Sequence, residues 1–438
     1  MIGILIVALL IPKGGQFAYR AFQSHAGRPP DQIHLSWVGD PTTTMTAMWH
    51  TYRQDTPSLI QYRPVGEEEW LMEVGMPTLT HPEGLIHTVT LHHLSPDSAY
   101  EYRIKADYYG NNWSDIFQFQ TAPTEVEQFD VVFVADTGLI GRKDGLDTGT
   151  KAVVEAIAAL NPSLILAGGD YAYYNTDDRY ETLPRSIDAW FNQMMPITAV
   201  TPIMPTYGNH ETLLKENYGL WLERFATPEG FENRRNYSFD IGSIHFISIF
   251  AIYEEQGLNP EVIDWLEQDI ETAQSSGQQW IIPYMHVSPF AEGESHPSNL
   301  ALRAQLGPLF ERFGIEVVLS AHDQAYERTY PLVDVPRNNR PTSQSLSCYD
   351  AVNDGITWVK SSPGGKKSNK SNAFSIFRNP PSPWVAVRDN TMHVFTQLRF
   401  QGADRLEVET FGITDNQSSP VSLDQFSYDR QGRCTPQR

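Results

Sequence analysis

Five apolar runs in the sequence end in side chains that can bind a metal ion, and this recurrence limits the possible folds more than any other feature. The side chains that follow the runs are Asp136, Asp170, Asn209, His286 and His322. An apolar run that ends in glycine or a polar residue indicates a buried strand that enters a tight loop. One such ending is most simply a polar turn. Five in order predict a rim of oxygen and nitrogen ligands at the carboxyl ends of strands, where α/β sheets bind their ligands.

Helix-like sequence separates these runs. Apolar residues at helical spacing predict four helices, over 151–160, 185–195, 259–273 and 300–313. Alternation predicts further strands at 237–240, 244–249, 384–388, 393–400 and 406–411. We expect the last three to complete the sheet of this part of the chain. Strand and helix patterns that alternate in this way predict an α/β sandwich over residues 125–438.

The sequence before residue 125 has a different pattern. About seven short alternating runs, separated by turn signals, occupy residues 29–124. This spacing predicts a separate domain, an all-β sandwich of the fibronectin type. His87, His92 and His93 fall in one predicted strand. They could form a metal site, but partly exposed strand histidines are the simpler interpretation.

Residues 1–28 are predicted to be a signal peptide and leader. Their apolar core, residues 2–11, is too short to span a bilayer, so we expect no stable membrane insertion and a secreted or periplasmic protein. No Lys or Arg precedes this core, which leaves an incomplete or wrongly assigned N-terminus as the alternative. Cys348 and Cys434 are the only cysteines. They could form one disulfide in an oxidising compartment or remain two unrelated thiols.

Composition and ligand type restrict the chemistry. The net charge of -21 argues against nucleic acid or an anionic membrane as a partner. An anionic substrate would need local positive charge, which bound metal ions can supply. Carboxylate, amide and imidazole groups, with the phenol of Tyr173 nearby, suit Fe, Mn or Zn. Two ions that share a carboxylate can activate water for phosphoryl transfer, and Asp170 is the natural bridge.

The motifs together resemble those of a known family. In order they are Asp136-x-Gly138, Gly169-Asp170-x-x-Tyr173, Gly208-Asn209-His210-Glu211, His286 and His322-x-Gln324. This set resembles the purple acid phosphatases, which belong to the calcineurin-like metallophosphoesterases. The resemblance covers nearly all of the chain after about Pro29. It implies a fibronectin-like sandwich followed by a four-layer α/β/β/α metallophosphoesterase domain.

The resemblance also implies a role for each residue. Two metal ions would be bound, the first an Fe(III) held by Asp136, Asp170 and Tyr173. The second, a Zn, Mn or Fe(II) ion, would be held by Asp170, Asn209, His286 and His322. His210 would steady the phosphoryl group. His296 could protonate the leaving group, although a surface loop histidine is an equal alternative.

Three positions depart from the family pattern. Gln324 stands where the family has a second histidine that binds the first metal, and an amide oxygen is a weaker ligand. Ala321 replaces a glycine and Pro283 replaces a valine.

Residues 337–372 are rich in turn residues and are expected to be mostly loop. Lys366, Lys367 and Lys370 in this segment could touch a phosphate, but a solvated loop is the simpler interpretation.

The function implied by the resemblance is that of an acid phosphatase. It would hydrolyse small-molecule phosphate monoesters with a dinuclear metal centre and a metal-activated hydroxide. A phosphodiesterase or nucleotide hydrolase with the same centre is the alternative within enzymes. A binding protein with a decayed metal site is a third hypothesis, and Gln324 is its only support in the sequence.

Overall fold

The structure, a computed structural model, describes residues 28–107, 111–177, 179–212, 218–415 and 419–434. The predicted signal-peptide core lies outside these residues. No helix in the described ranges is long and apolar enough to cross a membrane.

The N-terminal part forms two four-stranded antiparallel sheets. Their strands are β1 Asp31–Ser36, β2 Met45–Thr51, β3 Ser58–Pro64, β4 Leu71–Gly75, β5 Pro77–His81, β6 Gly84–Leu91, β7 Ala99–Ile104 and β8 Phe117–Gln120. The strand orders are β1-β2-β6-β5 and β4-β3-β7-β8. Trp49, Leu91, Tyr102 and Phe119 are buried in the core between the sheets. The predicted all-β sandwich is confirmed, with eight strands in the described residues instead of seven.

The expectation for the three histidines is wrong in two respects. His87 lies on β6 and is fully buried against Trp49, with ring centroids 5.1 Å apart. Its two ring nitrogens are 2.7 Å from the Thr51 hydroxyl and 2.8 Å from the Ser58 hydroxyl, which leaves neither for a metal ion. Burial lowers the pKa of His87 to about 4. His92 and His93 lie beyond the end of β6 and are exposed.

The remainder of the chain forms two larger sheets and a short strand pair. Its strands are β9 Gln128–Val134, β10 Leu164–Ala167, β11 Ile203–Pro205, β12 Tyr237–Ile241, β13 Ile244–Ile249, β14 Trp280–Met285, β15 Val317–Ser320, β16 Tyr326–Thr329, β17 Leu332–Val333, β18 Arg340–Pro341, β19 Cys348–Asp350, β20 Thr357–Lys360, β21 Val385–Asp389, β22 His393–Gln401, β23 Arg405–Ile413 and β24 Val421–Asp429. The first seven-stranded sheet has the order β11-β10-β9-β22-β23-β24-β19. The second has the order β12-β13-β14-β15-β20-β16-β21, and β17 pairs with β18 alone.

Helices cover the outer faces of the two large sheets. They are α1 Thr150–Leu160, α2 Leu183–Thr198, α3 Tyr218–Leu222, α4 Pro260–Ser275 and α5 Leu300–Arg312. Alternate residues of β9 show how the layers form, because Val131 and Phe133 enter the core between the sheets while Val132 packs with α1 and α2. On the second sheet, Ile247 packs with α4 and α5. The four predicted helices and the α/β/β/α layers are confirmed.

The region after residue 331 differs from its prediction. The three predicted C-terminal strands do not join one sheet, since β21 lies at the edge of the second sheet while β22 and β23 lie in the first. β24 was not predicted. The segment 337–372 is mostly loop, yet it contains β20, a fully buried strand inside the second sheet. Cys348 on β19 and Cys434 form a disulfide, which settles the two alternatives for these residues.

One cluster of ion-pairing side chains gives the fold a testable pH dependence. His245 on β13 lies between two carboxylates, with Nδ1 2.6 Å from Asp240 Oδ1 and Nε2 3.0 Å from Asp269 Oδ2. Burial lowers the pKa of an imidazole, but the two carboxylates outweigh it and raise the pKa of His245 to about 9. Because this folded-state pKa exceeds the unfolded value, the stabilisation is complete below the unfolded pKa and is lost as the pH rises through about 9.

His245→Gln should therefore lower the free energy of unfolding at pH 6 by about 1.5–3 kcal/mol, the usual contribution of a hydrogen bond to a charged group. The loss at pH 10 should be much smaller, because His245 is then neutral in the wild type. Urea unfolding at both pH values measures this difference. His92→Gln, at an exposed histidine, is the matched control. Equal losses at both pH values in His245→Gln would contradict the assignment.

Candidate metal centre

The loops that leave parallel strands of both large sheets bring the candidate ligands together. β9, β10 and β11 run parallel in the first sheet and lead to Asp136, Asp170 and Asn209. β14 and β15 run parallel in the second sheet and lead to His286 and His322. Since carboxyl ends of parallel strands meet at one edge, side chains distant in sequence converge there.

Four of the candidate ligands have a strained backbone conformation. Asp136, Asp170, Tyr173 and His322 have φ values of 53°, 56°, 52° and 77°, in the left-handed region that residues other than glycine rarely adopt. Such strain is concentrated at functional sites, where the surrounding structure compensates for it. Close packing adds to this constraint, because a side chain at Gly208 would collide with the Asp170 carboxylate.

One group of donor atoms surrounds His286 Nε2. This nitrogen is 3.3 Å from Asp170 Oδ2, 3.2 Å from Asn209 Oδ1 and 3.1 Å from His322 Nδ1. One donor atom each from Asp170, His286 and His322 lies within 4.8 Å of the others. His286 Nδ1 is 2.8 Å from the carbonyl oxygen of Gly168, so a proton on Nδ1 leaves Nε2 as the donor toward a metal ion.

A second group of donor atoms surrounds Asp136. Its Oδ1 accepts hydrogen bonds from Tyr173 Oη at 2.8 Å and from Gln324 Nε2 at 3.3 Å. Its Oδ2 accepts from the backbone N–H of His322 at 3.1 Å and from the Ser362 hydroxyl at 2.9 Å. Gln324 Oε1 is buried and has no hydrogen-bond partner among the described groups. This oxygen is available to a cation.

The buried acidic groups of both donor sets also favour the binding of cations. Burial raises the pKa of Asp136, and the neighbouring Asp170 carboxylate raises it further. Burial followed by the charge of Asp136 raises the pKa of Tyr173 well above its usual range. Burial would raise the pKa of Asp170 too, but His286 and His210 lower it below its ordinary value. Carboxylate, imidazole, amide and phenol donors, all crowded in a low-dielectric site, fit two metal ions of the Fe, Mn or Zn type.

His210 lines a cavity beside these donor atoms, together with Tyr173 and Gln324. Its ring centroid is 4.3 Å from that of Tyr173, and its Nδ1 is 2.5 Å from Asn175 Oδ1. Its backbone N–H donates to Asp170 Oδ1 at 2.9 Å. Burial lowers the pKa of His210 to about 4. Asn175 has no motif of its own in the sequence and was not predicted to lie here.

His296 lies beside the donor group around His286 rather than on a remote surface loop. Its ring centroid is 4.0 Å from that of His322, and its Nδ1 is 2.5 Å from Glu254 Oε1. The same oxygen of Glu254 is 3.2 Å from His322 Nε2, so one carboxylate contacts two histidines. The hydrogen bonds of His296 and His322 lower the pKa of Glu254. Glu254 was missed in the sequence because it lies five residues beyond the end of β13 and belongs to no motif.

Glu211 is a third residue that sequence reasoning did not assign. It is fully buried and accepts hydrogen bonds from the backbone N–H groups of Asp170, Tyr171 and Gly208, at 2.8, 2.8 and 2.9 Å. It thus ties the loop after β10 to the loop after β11. Its place directly after His210 in the Gly-Asn-His-Glu motif was a signal that could have identified it.

The structure also places the three departures from the family pattern. Ala321 is buried, and its N–H donates to the carbonyl oxygen of His286 at 2.8 Å. Pro283 lies within β14 opposite Ile247.

Lys366 contradicts the expectation of a solvated loop, because its side chain is buried beside Tyr173, while Lys370 is exposed as expected.

Comparison with known proteins agrees with this arrangement. Residues 30–121 match the model of the purple acid phosphatase N-terminal domain, and residues 129–326 match that of the calcineurin-like phosphoesterases. Purple acid phosphatase 23 of Arabidopsis thaliana is 27% identical over 284 residues, which are 57% of this chain and 59% of that protein. Acid phosphatase type 7 of Mus musculus is 25% identical over 450 residues, 96% of this chain and 95% of that protein.

The fold has a close counterpart among solved structures. Purple acid phosphatase PPD1 from yellow lupin (Lupinus luteus) seeds superposes with a TM-score of 0.75 at 18% identity, covering 94% of this chain and 77% of that chain. Fold and site together define a calcineurin-like metallophosphoesterase. More narrowly, the chain belongs to the purple acid phosphatase family of phosphoric ester hydrolases, which implies a dinuclear metal centre.

Gln324 allows a direct test of the donor group around Asp136. If its amide oxygen binds the first metal, Gln324→His should hold the metal more tightly and Gln324→Ala less tightly. We expect differences of about 10–100-fold in metal affinity, the range found when supporting ligands are changed. The measurement is metal content after dialysis against a graded series of chelator concentrations.

Gln305→Ala is the matched control, since it removes a half-buried, hydrogen-bonded amide from α5, away from the site. It should retain metal as the wild type does. If wild type, Gln324→His and Gln324→Ala lose metal alike, Gln324 is not a ligand.

Proposed function

We propose that the protein is an acid phosphatase that hydrolyses small-molecule phosphate monoesters with two metal ions. The first ion would be held by Asp136, Asp170, Tyr173 and Gln324, and the second by Asp170, Asn209, His286 and His322. The observation that carries the proposal is that all these side chains meet at one edge of the two sheets, beside His210 and His296.

The metal ions would supply one part of the chemistry. When bound, they would lower the pKa of a water molecule and stabilise charge on the phosphoryl oxygens. The chain supplies the rest. Asp170 would contact both ions, a role supported by its distance of 3.3 Å from His286 Nε2 and by its interaction with the Asp136 carboxylate. Its Oδ1 also accepts the backbone N–H of His210, which fixes the position of that ring at the cavity.

Two histidines would act on the substrate itself. His210 would contact the phosphoryl group and hold it against the metal ions. His296 would protonate the oxygen of the leaving alcohol. Because Glu254 engages His296 Nδ1 at 2.5 Å, Nε2 is the nitrogen available for this proton transfer. Glu254 would act as a positioning residue for His296 and, through His322 Nε2, for a metal ligand.

The size of the cavity supports a simple substrate. Its volume is about 260 Å³, and its walls include Tyr173, His210, His296 and Gln324. Ligand pockets for whole drug-sized molecules are usually about 300–1,000 Å³. A cavity below that range would enclose the phosphoryl group and leave most of the alcohol at the surface, so we expect activity on several small esters.

We further propose Fe(III) at the first site and Zn, Mn or Fe(II) at the second, in a secreted or periplasmic protein. The phenol of Tyr173 beside Asp136 supports iron at the first site. The disulfide between Cys348 and Cys434 supports an oxidising compartment.

The experiment that tests the function has two parts. Elemental analysis of the purified protein should find about two metal ions per chain. Assays with phosphate monoesters and diesters between pH 4 and 8 should then show hydrolysis that is lost on metal removal and restored on metal addition. A protein that holds two metal ions yet cleaves none of these esters would contradict the proposal.

Tyr173 tests the identity of the first metal. A phenolate bound to Fe(III) gives a visible charge-transfer band, whereas Zn or Mn(II) gives none. Tyr173→Phe should therefore remove the colour and retain part of the activity. Absorption spectra and iron content of both proteins provide the comparison, with Tyr253→Phe, an exposed tyrosine, as the control. A colourless, iron-free and active wild type would contradict the iron assignment.

A further inference from the structure

The loop that follows β20 passes directly beside the candidate metal centre. The Ser362 hydroxyl donates to Asp136 Oδ2 at 2.9 Å. Two backbone groups fix the loop further, since Gly364 N–H donates to Ala135 O at 2.7 Å and Lys366 N–H donates to Asp136 O at 3.0 Å. The backbone of Lys366 is thus held against the residue that would bind the first metal.

The side chain of Lys366 is buried at this point. Its exposed fraction is 1%, and its ammonium nitrogen is 4.2 Å from the centroid of the Tyr173 ring. Space for it comes from Gly138, which has a φ of 65° and where a Cβ would lie 2.9 Å from Lys366 Cβ. A buried ammonium is costly unless nearby groups compensate its charge.

The contacts of Lys366 Nζ satisfy only part of its hydrogen-bonding capacity. It donates to the carbonyl oxygen of Lys367 at 3.1 Å and to Asn369 Oδ1 at 2.9 Å. An ammonium group has three donors, so one remains. Among the residues that the structure describes, no carboxylate forms an ion pair with Lys366. Its side chain lines the cavity that also contains His210 and Gln324.

The two neighbouring lysines are differently placed. Lys367 Nζ forms an ion pair with Asp415 at 2.7 Å. Lys370 is exposed and donates to the carbonyl oxygen of Ser295 at 2.9 Å. Lys366 is therefore the lysine of this loop whose charge is both buried and directed at the cavity without a carboxylate partner in the described structure.

We infer that Lys366 binds the phosphoryl group of the substrate and is a determinant of specificity for phosphate monoesters over diesters. This inference rests on the proposed function. A phosphate monoester carries close to two negative charges near pH 7, because its second pKa is about 6, whereas a diester carries one. In a site that excludes water, a fixed ammonium attracts the dianionic monoester more strongly than the monoanionic diester. Lysine commonly binds phosphate as a point charge.

Lys366→Met tests the inference because methionine fills a similar volume without the charge. Inorganic phosphate, titrated calorimetrically into the metal-loaded protein, should bind about 10–100-fold more weakly to the variant, the loss expected for a hydrogen bond to a charged group. The ratio of kcat/KM for p-nitrophenyl phosphate to that for bis(p-nitrophenyl) phosphate should fall about tenfold or more. Lys366→Gln, which is neutral but polar, should show the same losses.

Lys367→Met, in the same loop, should leave phosphate affinity and the substrate ratio as they are in the wild type. Metal content is measured for every protein, so that affinity is compared per occupied site. Wild-type phosphate affinity and an unchanged substrate ratio in both Lys366 variants would overturn the inference while the proposed function stands. A metal-loaded wild type that binds no phosphate and cleaves no ester would overturn both.

Discussion

Two buried carboxylates that interact electrostatically, Asp136 and Asp170, impose the constraint on which the rest of the site depends. Both lie at strand ends with left-handed backbone, a conformation that costs about 1–3 kcal/mol at a residue other than glycine. Burial disfavours the charge of both, and the charge of Asp170 raises that cost for Asp136. The loops can hold both carboxylates in place only if other contacts offset the cost of burying their charge, and bound cations offset it most strongly.

The fold supplies the rigid frame that this compensation requires. Glu211 binds three backbone N–H groups and joins the loops after two strands of the first sheet. In the second sheet, Lys360 at the end of β20 is fully buried between Asp323 and Glu327, with N···O distances of 2.5 and 2.6 Å. Asp323 lies between His322 and Gln324 in the chain, so this buried ion cluster anchors the loop that carries both candidate ligands. Neither cluster lines the cavity beside His210, yet both hold loops that carry candidate ligands.

The sequence predicted most of this site because its signals are local. A strand end followed by a candidate ligand is visible within ten residues, and five such endings specified the converging edge. Glu254 and Asn175 were missed because they come from loops without a pattern, and only the tertiary structure brings them to His296 and His210. The burial of Lys366 was missed for a related reason, since its loop reads as solvated and the space beside it is created by Gly138 in the loop after β9. Alternation likewise predicted the C-terminal strands, but which sheet each strand joins depends on nonlocal pairing that alternation does not encode.

The central claim is that the folded chain binds cations through a shared Asp170. The most direct test is the free energy of unfolding of wild type and Asp170→Asn, each measured in chelator and in Zn²⁺ at 100 times the wild-type dissociation constant. Linkage predicts that zinc stabilises the wild type by about 2.7 kcal/mol per site at this concentration. The amide variant, which lacks the bridging charge but keeps the shape of the side chain, should gain little. An equal zinc-dependent gain in the free energy of unfolding of both proteins would show that Asp170 is not a shared cation ligand.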